Sequence, residues 1–558
     1  MFKKLSVILL LIAISSGSRL YADSHSAAIA SAHPLATAAG FEVLAKGGNV
    51  YDAAVAVSAA LAVLEPNGSG LGGGGYWLLH RQKDGFETMI DGREKAPLAA
   101  HKDMFLDKDR HVIAKLSIDG ALAAAIPGLP AALVHIAEHY GQLPLAETLA
   151  PAIRYAKTGF AISERYLKLL TARAEVLNTY PDSAAIFLTK GQPPELYSIL
   201  RQADLAQTLE RLAESGRDGF YSGVTADKLV SSVQQAGGIW TKEDLAAYQV
   251  IEREPIKGVF HGIKITSSSP SSSGGIVLIE ALNILSGYDL EDSDELTRKH
   301  LITEALRRAY HDRSLYLGDA DFINIPVNRL LNEDYAAGLR SSLRIDKAMP
   351  SELLSGEIKP QPEGTNTTHF SIIDEQGNRV AATLSVNMSF GSAFVAKGTG
   401  VLLNDEMDDF VSLPGAMNGY GLIGGSANAI QPGKRMLSSM TPTFLEDENR
   451  VAVLGTPGGS RIISMVLLGL LDFAKGNGPE SWVQVPRFHH QFMPDVIEYE
   501  QSALSDAEIN GLAAIGHQLK PVPNIYGDMQ AVQLTKATKV LSAASDKRGE
   551  GRAIVGHY

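Results

Sequence analysis

Asn366-Thr367-Thr368-His369-Phe370-Ser371-Ile372-Ile373-Asp374 is a strand-like run with a threonine near its front. Phe370 to Asp374 mixes β-formers with polar residues in the pattern of a strand. Just upstream, Lys359-Pro360-Gln361-Pro362-Glu363-Gly364-Thr365 has the composition of an exposed loop. A chain cut between Asn366 and Thr367 would open that strand with a residue carrying both a hydroxyl and a new α-amine. Threonine hydroxyls are weak nucleophiles, and an N-terminal amine of near-neutral pKa is suited to take the proton. Taken alone, the nonapeptide is more simply an ordinary Thr-rich strand. The rest of the chain decides between the two readings.

With 558 residues the chain is long enough for a large core, and its 45% hydrophobic and 20% charged content is that of a soluble globular protein. A net charge of −12 argues against nucleic acid as the main partner. Met1 to Ala22 reads as a secretory signal: Lys3 and Lys4, an apolar run from Leu5 to Ile14, and the small residue Ala22 at the cut. The apolar run is too short to span a bilayer comfortably. The protein is therefore expected to be periplasmic or secreted, with no membrane span after signal removal. Without cysteine, disulfides and thiolate metal sites are excluded.

Leu35 to Leu64 has the spacing of two Ala-rich helices that pack closely. The glycines from Gly68 to Gly75 contain a formal G-x-G-x-x-G, but helix precedes and strand follows, the reverse of a dinucleotide site. Asp204 to Gly216, Leu301 to Tyr316 and Ile462 to Phe473 read as helices, and Val380 to Leu384, Val401 to Leu403 and Val451 to Leu454 as strands. Thr266 to Gly275, with six serines, reads as a linker or a loop lining a site, and composition favours the linker. Asp319-Ala320-Asp321 lacks the Gly and closing Glu of a calcium loop and reads as surface turn chemistry. His489-His490 is a weak metal signal, because neighbours on a strand point to opposite faces.

Downstream of Thr367, polar groups and glycines gather in a way a core does not need. Ser385-Val386-Asn387 places two polar side chains on one face of a strand. Glu406-Met407-Asp408-Asp409 clusters acids, and Ser438-Ser439 sits between Leu437 and Met440. Gly455-Thr456-Pro457-Gly458-Gly459-Ser460 precedes a helix, where unpaired N–H groups can stabilise an oxyanion.

Together and in order, these motifs resemble the γ-glutamyltransferase family. The resemblance runs over essentially the whole mature chain. It includes Gly47-Gly48-Asn49 with Asp52-Ala53-Ala54, Asp91-Gly92-Arg93-Glu94-Lys95-Ala96-Pro97, Thr241 to Leu245, Asp312-Arg313-Ser314 with Tyr316 to Asp319, and Pro486 to His490. It implies an α+β fold of the N-terminal nucleophile hydrolase type, a four-layer αββα sandwich formed jointly by two chains from one precursor. The boundaries are 1–22 signal, 23–366 large subunit and 367–558 small subunit, cut between Asn366 and Thr367. Thr367 is then the nucleophile, with Ser385 hydrogen-bonded to its amine or hydroxyl and Gly458 and Gly459 as oxyanion donors. Arg93, helped by Ser438 and Ser439, would bind the substrate α-carboxylate, since its planar fork matches a carboxylate. Asn387, Glu406 and Asp409 would bind the α-ammonium, and Tyr420, in the lid-like Pro414 to Gly421, would close toward Asn387. No cofactor and no metal are implied. Glutathione and related γ-glutamyl compounds are the implied substrates, with water, amino acids or peptides as acceptors.

Ser385 stands where the family usually has threonine, the Ser267 to Ser273 run stands where many members have prolines, and Asp-Gly-Arg replaces an Asp-Phe-Arg found in some. The alternatives are a cephalosporin (glutaryl) acylase, whose substrates lack the α-amine, and an uncleaved inactive protein that binds γ-glutamyl peptides.

Overall fold

The computed structural model describes residues 25–354, 367–413 and 418–558. The expected signal at 1–22, Asn366 and residues 414–417 of the lid-like stretch lie outside them. At the centre are two antiparallel sheets. The seven-stranded sheet runs Arg552–His557, Ser26–Ser31, Thr368–Asp374, Arg379–Ser385, Gly74–Arg81, Phe86–Gly92, Ile251–Arg253. The six-stranded sheet runs Leu541–Ser545, Gln530–Thr535, Arg450–Gly455, Thr443–Glu446, Ile263–Ser267, Ile256–Phe260. The strand that opens the site thus has neighbours on both sides, Ser26–Ser31 and Arg379–Ser385.

Strand alternation divides the core in two. Phe370 and Ile372 face the outer helices Pro34–Ala45 and Val50–Leu64. Ile373 and the neighbouring Ala381 face the second sheet. There His369 packs against Gly455, where a Cβ would lie 2.2 Å from the His369 ring, and the Ser371 hydroxyl donates to the Gln530 carbonyl at 3.0 Å. Gly274–Leu285 and Ile462–Ala474 cover the other face of the six-stranded sheet, with Glu295–Tyr316 packed on the first of these helices. The order helix, sheet, sheet, helix is the four-layer sandwich that the resemblance implied.

Every residue of Val50–Leu64 is buried, and its small side chains let Pro34–Ala45 approach closely. Asn49 and Asp52 form a capping box at its start, with the Asn49 side chain accepting from Tyr51 N at 2.8 Å and Asp52 accepting from Asn49 N at 2.9 Å. The Gly-Gly-Asn motif is thus accounted for by helix initiation. The serine run is no linker, since Ser267, Ser268, Ser271, Ser272 and Ser273 are all fully buried and hydrogen-bonded within the core. Asp319 is not at the surface: it is fully buried and accepts from the Arg435 N–H at 2.8 Å.

The Gly-rich loop is explained by crowding of backbone on backbone. A Cβ on Gly72 would lie 2.0 Å from the Leu402 carbonyl oxygen, and one on Gly73 would lie 2.1 Å from that of Ser385. Neither oxygen is the end of a flexible side chain, so neither can swing aside. Gly73→Ala is therefore expected to lower the apparent Tm by about 5 °C or more, or to abolish soluble yield. Gly338→Ala, in the helix Glu333–Arg340 with nothing near the new Cβ, is expected to be neutral or slightly stabilising. Thermal melts of both variants check this, and equal melting points would contradict it.

Candidate active site

The register of the central strands sets the position of Thr367. Thr368 pairs with Leu384, so one step further along the antiparallel ladder Thr367 lies opposite Ser385. The strand carrying Ser385 ends there, and Asn387 follows in the left-handed region at φ 74°, a conformation asparagine tolerates. Ser385 and Asn387 are therefore not two positions of one strand face. The turn still brings both into one small cleft with Thr367, Arg93, Glu406, Asp409, Tyr420, Ser438, Ser439 and Gly459. Gly458, at φ 145°, immediately precedes Gly459 at the turn that leads into Ile462–Ala474. Gly459 lines the cleft and Gly458 does not, and the first N–H groups of a helix have no partner inside it.

Three cleft hydroxyls share one arrangement. Ser385 Oγ accepts from Asn387 N at 2.7 Å, Ser438 Oγ from Met440 N at 3.1 Å, and Ser439 Oγ from Arg313 Nη2 at 3.1 Å. A hydroxyl that accepts on one side keeps its own proton to donate elsewhere. The Ser438 and Ser439 segment is held by the buried serine run, through Ser438 N to the Ser271 carbonyl at 2.9 Å and Ser273 Oγ to the Ser438 carbonyl at 2.7 Å. The serines thus hold one wall of the cleft in place.

Arg93 and the acids do not stand apart as a separate carboxylate site and ammonium site. Arg93 Nη1 lies 2.6 Å from Glu406 Oε2 and Nη2 lies 2.5 Å from Asp409 Oδ2, all three groups being buried or nearly so. Glu406 accepts no geometrically sound hydrogen bond from any described residue, a situation that is costly for a buried carboxylate. Burial pushes its carboxyl well above the usual range, against the pull of Arg93 and with help from Glu94, Asp409 and Asp405. Asp409 is raised by burial too, opposed by Arg93, and Glu94 is pushed up to about 7 by burial. One guanidinium is thus shared by three crowded acids, which favours either a retained proton or a second cation. The acidic cluster is not a surface feature, because the three-ten turn Glu406–Asp409 is inside the protein.

Tyr420 closes one side. Its hydroxyl donates to the Asn387 carbonyl at 2.9 Å, and its ring lies over Gly459, where a Cβ would be 2.4 Å from Tyr420 Cδ1. Asn418 Nδ2 donates to Asp409 at 3.2 Å, and the Gly419 N–H donates to Asp408 at 2.7 Å. Sequence reasoning gave no role to Arg313, which lines the cleft and contacts Ser439, although Asp312-Arg313-Ser314 was among the quoted motifs.

Away from the cleft, His300, Glu304 and His517 form a buried group with metal-like spacing. Its lone pairs are already engaged: Glu304 accepts from Arg308 at 2.6 Å and Arg307 at 3.1 Å, and His300 Nδ1 contacts His517 Nε2 at 2.7 Å. Two guanidinium groups this close oppose a further cation. His489 and His490 are likewise used separately, by Ser464 with Gln491 and by Asp495. Among the described residues, no helix is long and apolar enough to cross a membrane.

The chain matches the family model described as gamma-glutamyltranspeptidase over residues 36–556. A glutathione hydrolase proenzyme from a Pseudomonas species is 44% identical over 497 residues, 88% of this chain and 86% of the relative. The glutathione hydrolase proenzyme of Escherichia coli is 40% identical over 537 residues, 95% of this chain and 91% of the relative. Among solved structures, cephalosporin acylase from Bacillus halodurans superposes with a TM-score of 0.85 at 28% identity, covering 97% of this chain and 99% of the other. With its site geometry and these matches along nearly its whole length, the chain belongs to the gamma-glutamyltranspeptidase family.

Proposed function

We propose that this protein is an exported, self-processing γ-glutamyltransferase and glutathione hydrolase, cut between Asn366 and Thr367 into chains 23–366 and 367–558. The observation that carries this reading is the convergence, beside Thr367, of Arg93 with Glu406 and Asp409 and of the Ser438 and Ser439 hydroxyls. A γ-glutamyl group bears an α-carboxylate and an α-ammonium on the same carbon. Positive and negative receptors in mutual contact match such a zwitterion, because its two charges are themselves neighbours.

In the reaction, the freed α-amine of Thr367 takes the hydroxyl proton as the oxygen attacks the γ-amide carbonyl. The Gly458 and Gly459 N–H groups receive the oxyanion, and Ser385 orients the Thr367 amine or hydroxyl. Removing a donor of this kind typically costs about a hundredfold in rate. The C–N bond breaks, the leaving amine takes the proton, and a γ-glutamyl–Thr367 ester remains. Water then releases glutamate, or an amino acid or peptide takes the acyl group. All these groups belong to the chain itself. The signal-like Met1 to Ala22 supports a periplasmic or secreted location.

A cephalosporin acylase reading is supported by the whole-chain likeness to the Bacillus halodurans structure. Glutaryl side chains lack the α-ammonium, so they offer Glu406 and Asp409 no counter-charge. Glu406→Gln is expected to raise KM for L-γ-glutamyl-p-nitroanilide about 10- to 100-fold and to affect glutaryl-p-nitroanilide far less. Steady-state kinetics on both anilides decide it, and equal effects would overturn the substrate assignment.

A pH dependence follows from the raised acids. A bound ammonium favours the ionised forms of Glu406 and Asp409, so affinity is lost as pH falls through their raised values. KM for the γ-glutamyl anilide is therefore expected to rise on acidification, more than KM for the glutaryl anilide. Both substrates use the same Thr367 chemistry, so the difference isolates the acids. Superimposable KM profiles would contradict this.

A further inference from the structure

Arg313 is a buried cation without a counter-ion. It lies in the last turn of Glu295–Tyr316 and is 5% exposed. Its Nε donates to Ser273 Oγ at 2.9 Å and its Nη2 to Ser439 Oγ at 3.1 Å. The fully buried Arg93, Arg307, Arg308, Arg379, Arg435 and Arg487 each have a carboxylate oxygen within 4.0 Å. Arg313 has none among the described residues. Burial pushes its guanidinium below the ordinary arginine value, partly offset by Tyr310 and Asp409. A cation buried with only neutral hydroxyl partners is strongly disfavoured unless something else brings it a negative charge. Its Nη1 donates to no described residue, and the side chain lines both the Thr367 cleft and the adjoining pocket under Asn418 and Leu422.

We infer that Arg313 is a second cation of the α-carboxylate subsite, positioning the Ser439 hydroxyl and supplying the positive charge that Arg93, shared between Glu406 and Asp409, cannot supply alone. The inference rests on the γ-glutamyl reading of the cleft and adds a residue to it. Charge complementarity supports it. Arg93 with ionised Glu406 and Asp409 leaves an excess negative charge, which suits the ammonium. Arg313 with the Ser438 and Ser439 hydroxyls leaves an excess positive charge, which suits the carboxylate. Because Ser439 Oγ accepts from Arg313, its proton is directed away from the guanidinium and toward an anion. The serine run enters the same device, since Ser273 fixes Nε and thereby the plane of the guanidinium.

The test uses processed enzyme and three p-nitroanilides: L-γ-glutamyl, with both charges; glutaryl, with the carboxylate alone; and 4-aminobutyryl, with the ammonium alone. Arg313→Gln is expected to raise KM for the first two by about 10- to 100-fold, with kcat changed only a few-fold. Activity on the 4-aminobutyryl substrate is expected to stay within about twofold of wild type, because no carboxylate is there to lose its partner. Arg313→Lys keeps the charge but not the fork. It is expected to fall between, and it carries the test by itself should Arg313→Gln fail to fold. An equal loss on all three substrates would mean that Arg313 merely supports the fold, and would overturn the inference. The γ-glutamyl reading is judged separately, on the wild-type enzyme's preference for the first substrate over the second, whereas Arg313 is judged only on the ratio of variant to wild type.

Discussion

The pairing of Thr368–Asp374 between Ser26–Ser31 and Arg379–Ser385 is the constraint on which the rest depends. The two flanking ladders fix its register, and register fixes which residue stands at the sheet end beside Ser385. A slip of one residue would turn Phe370 and Ile372 from the helix-covered core toward the second sheet and would move Thr367 out of the cleft. The strand is central, so a break just before Thr367 leaves its ladder bonds intact. The proposed cut then changes the chemistry of one residue without dismantling the fold.

Around that fixed point the protein tolerates a concentration of buried charge that a purely structural core would avoid. Arg93, Glu94, Glu406 and Asp409 share one small volume, and Arg313 stands nearby with hydroxyls in place of acids. Replacing such groups by apolar side chains is often neutral or stabilising in other proteins, so stability does not by itself explain them. The proposed γ-glutamyl ligand, with two opposite charges on one carbon, would. The serine run and Tyr420 complete the enclosure, one by hydrogen-bonding the Ser438 wall and the other by resting on Gly459.

Much of this was legible in the sequence where the signal was local. The helix Val50–Leu64, the strands Arg379–Ser385 and Arg450–Gly455, and the helix Ile462–Ala474 followed from periodicity, because apolar spacing reports which face is buried. The reversed order of elements around Gly68 to Gly75 excluded a nucleotide loop, and the close approach of the Leu402 and Ser385 carbonyls explains the glycines. What failed was reading polarity as exposure. The serines at 267–273 and Asp319 have the composition of a surface, yet their partners, such as Met440, Ser438 and Arg435, lie more than a hundred residues away. Composition carries no record of such partners. Arg313 escaped for the same reason: its meaning lies in the carboxylate it lacks, and only the folded neighbourhood reveals that.

The central claim is that Thr367 becomes a free N-terminus and acts as the nucleophile. The intact mass of the purified exported protein tests it most directly. The account predicts two chains whose masses place the break between Asn366 and Thr367, and a single uncut chain for Thr367→Ala. A wild-type protein that remains one chain of full mature mass over days would contradict it, and the uncleaved γ-glutamyl peptide binder would then be the better description.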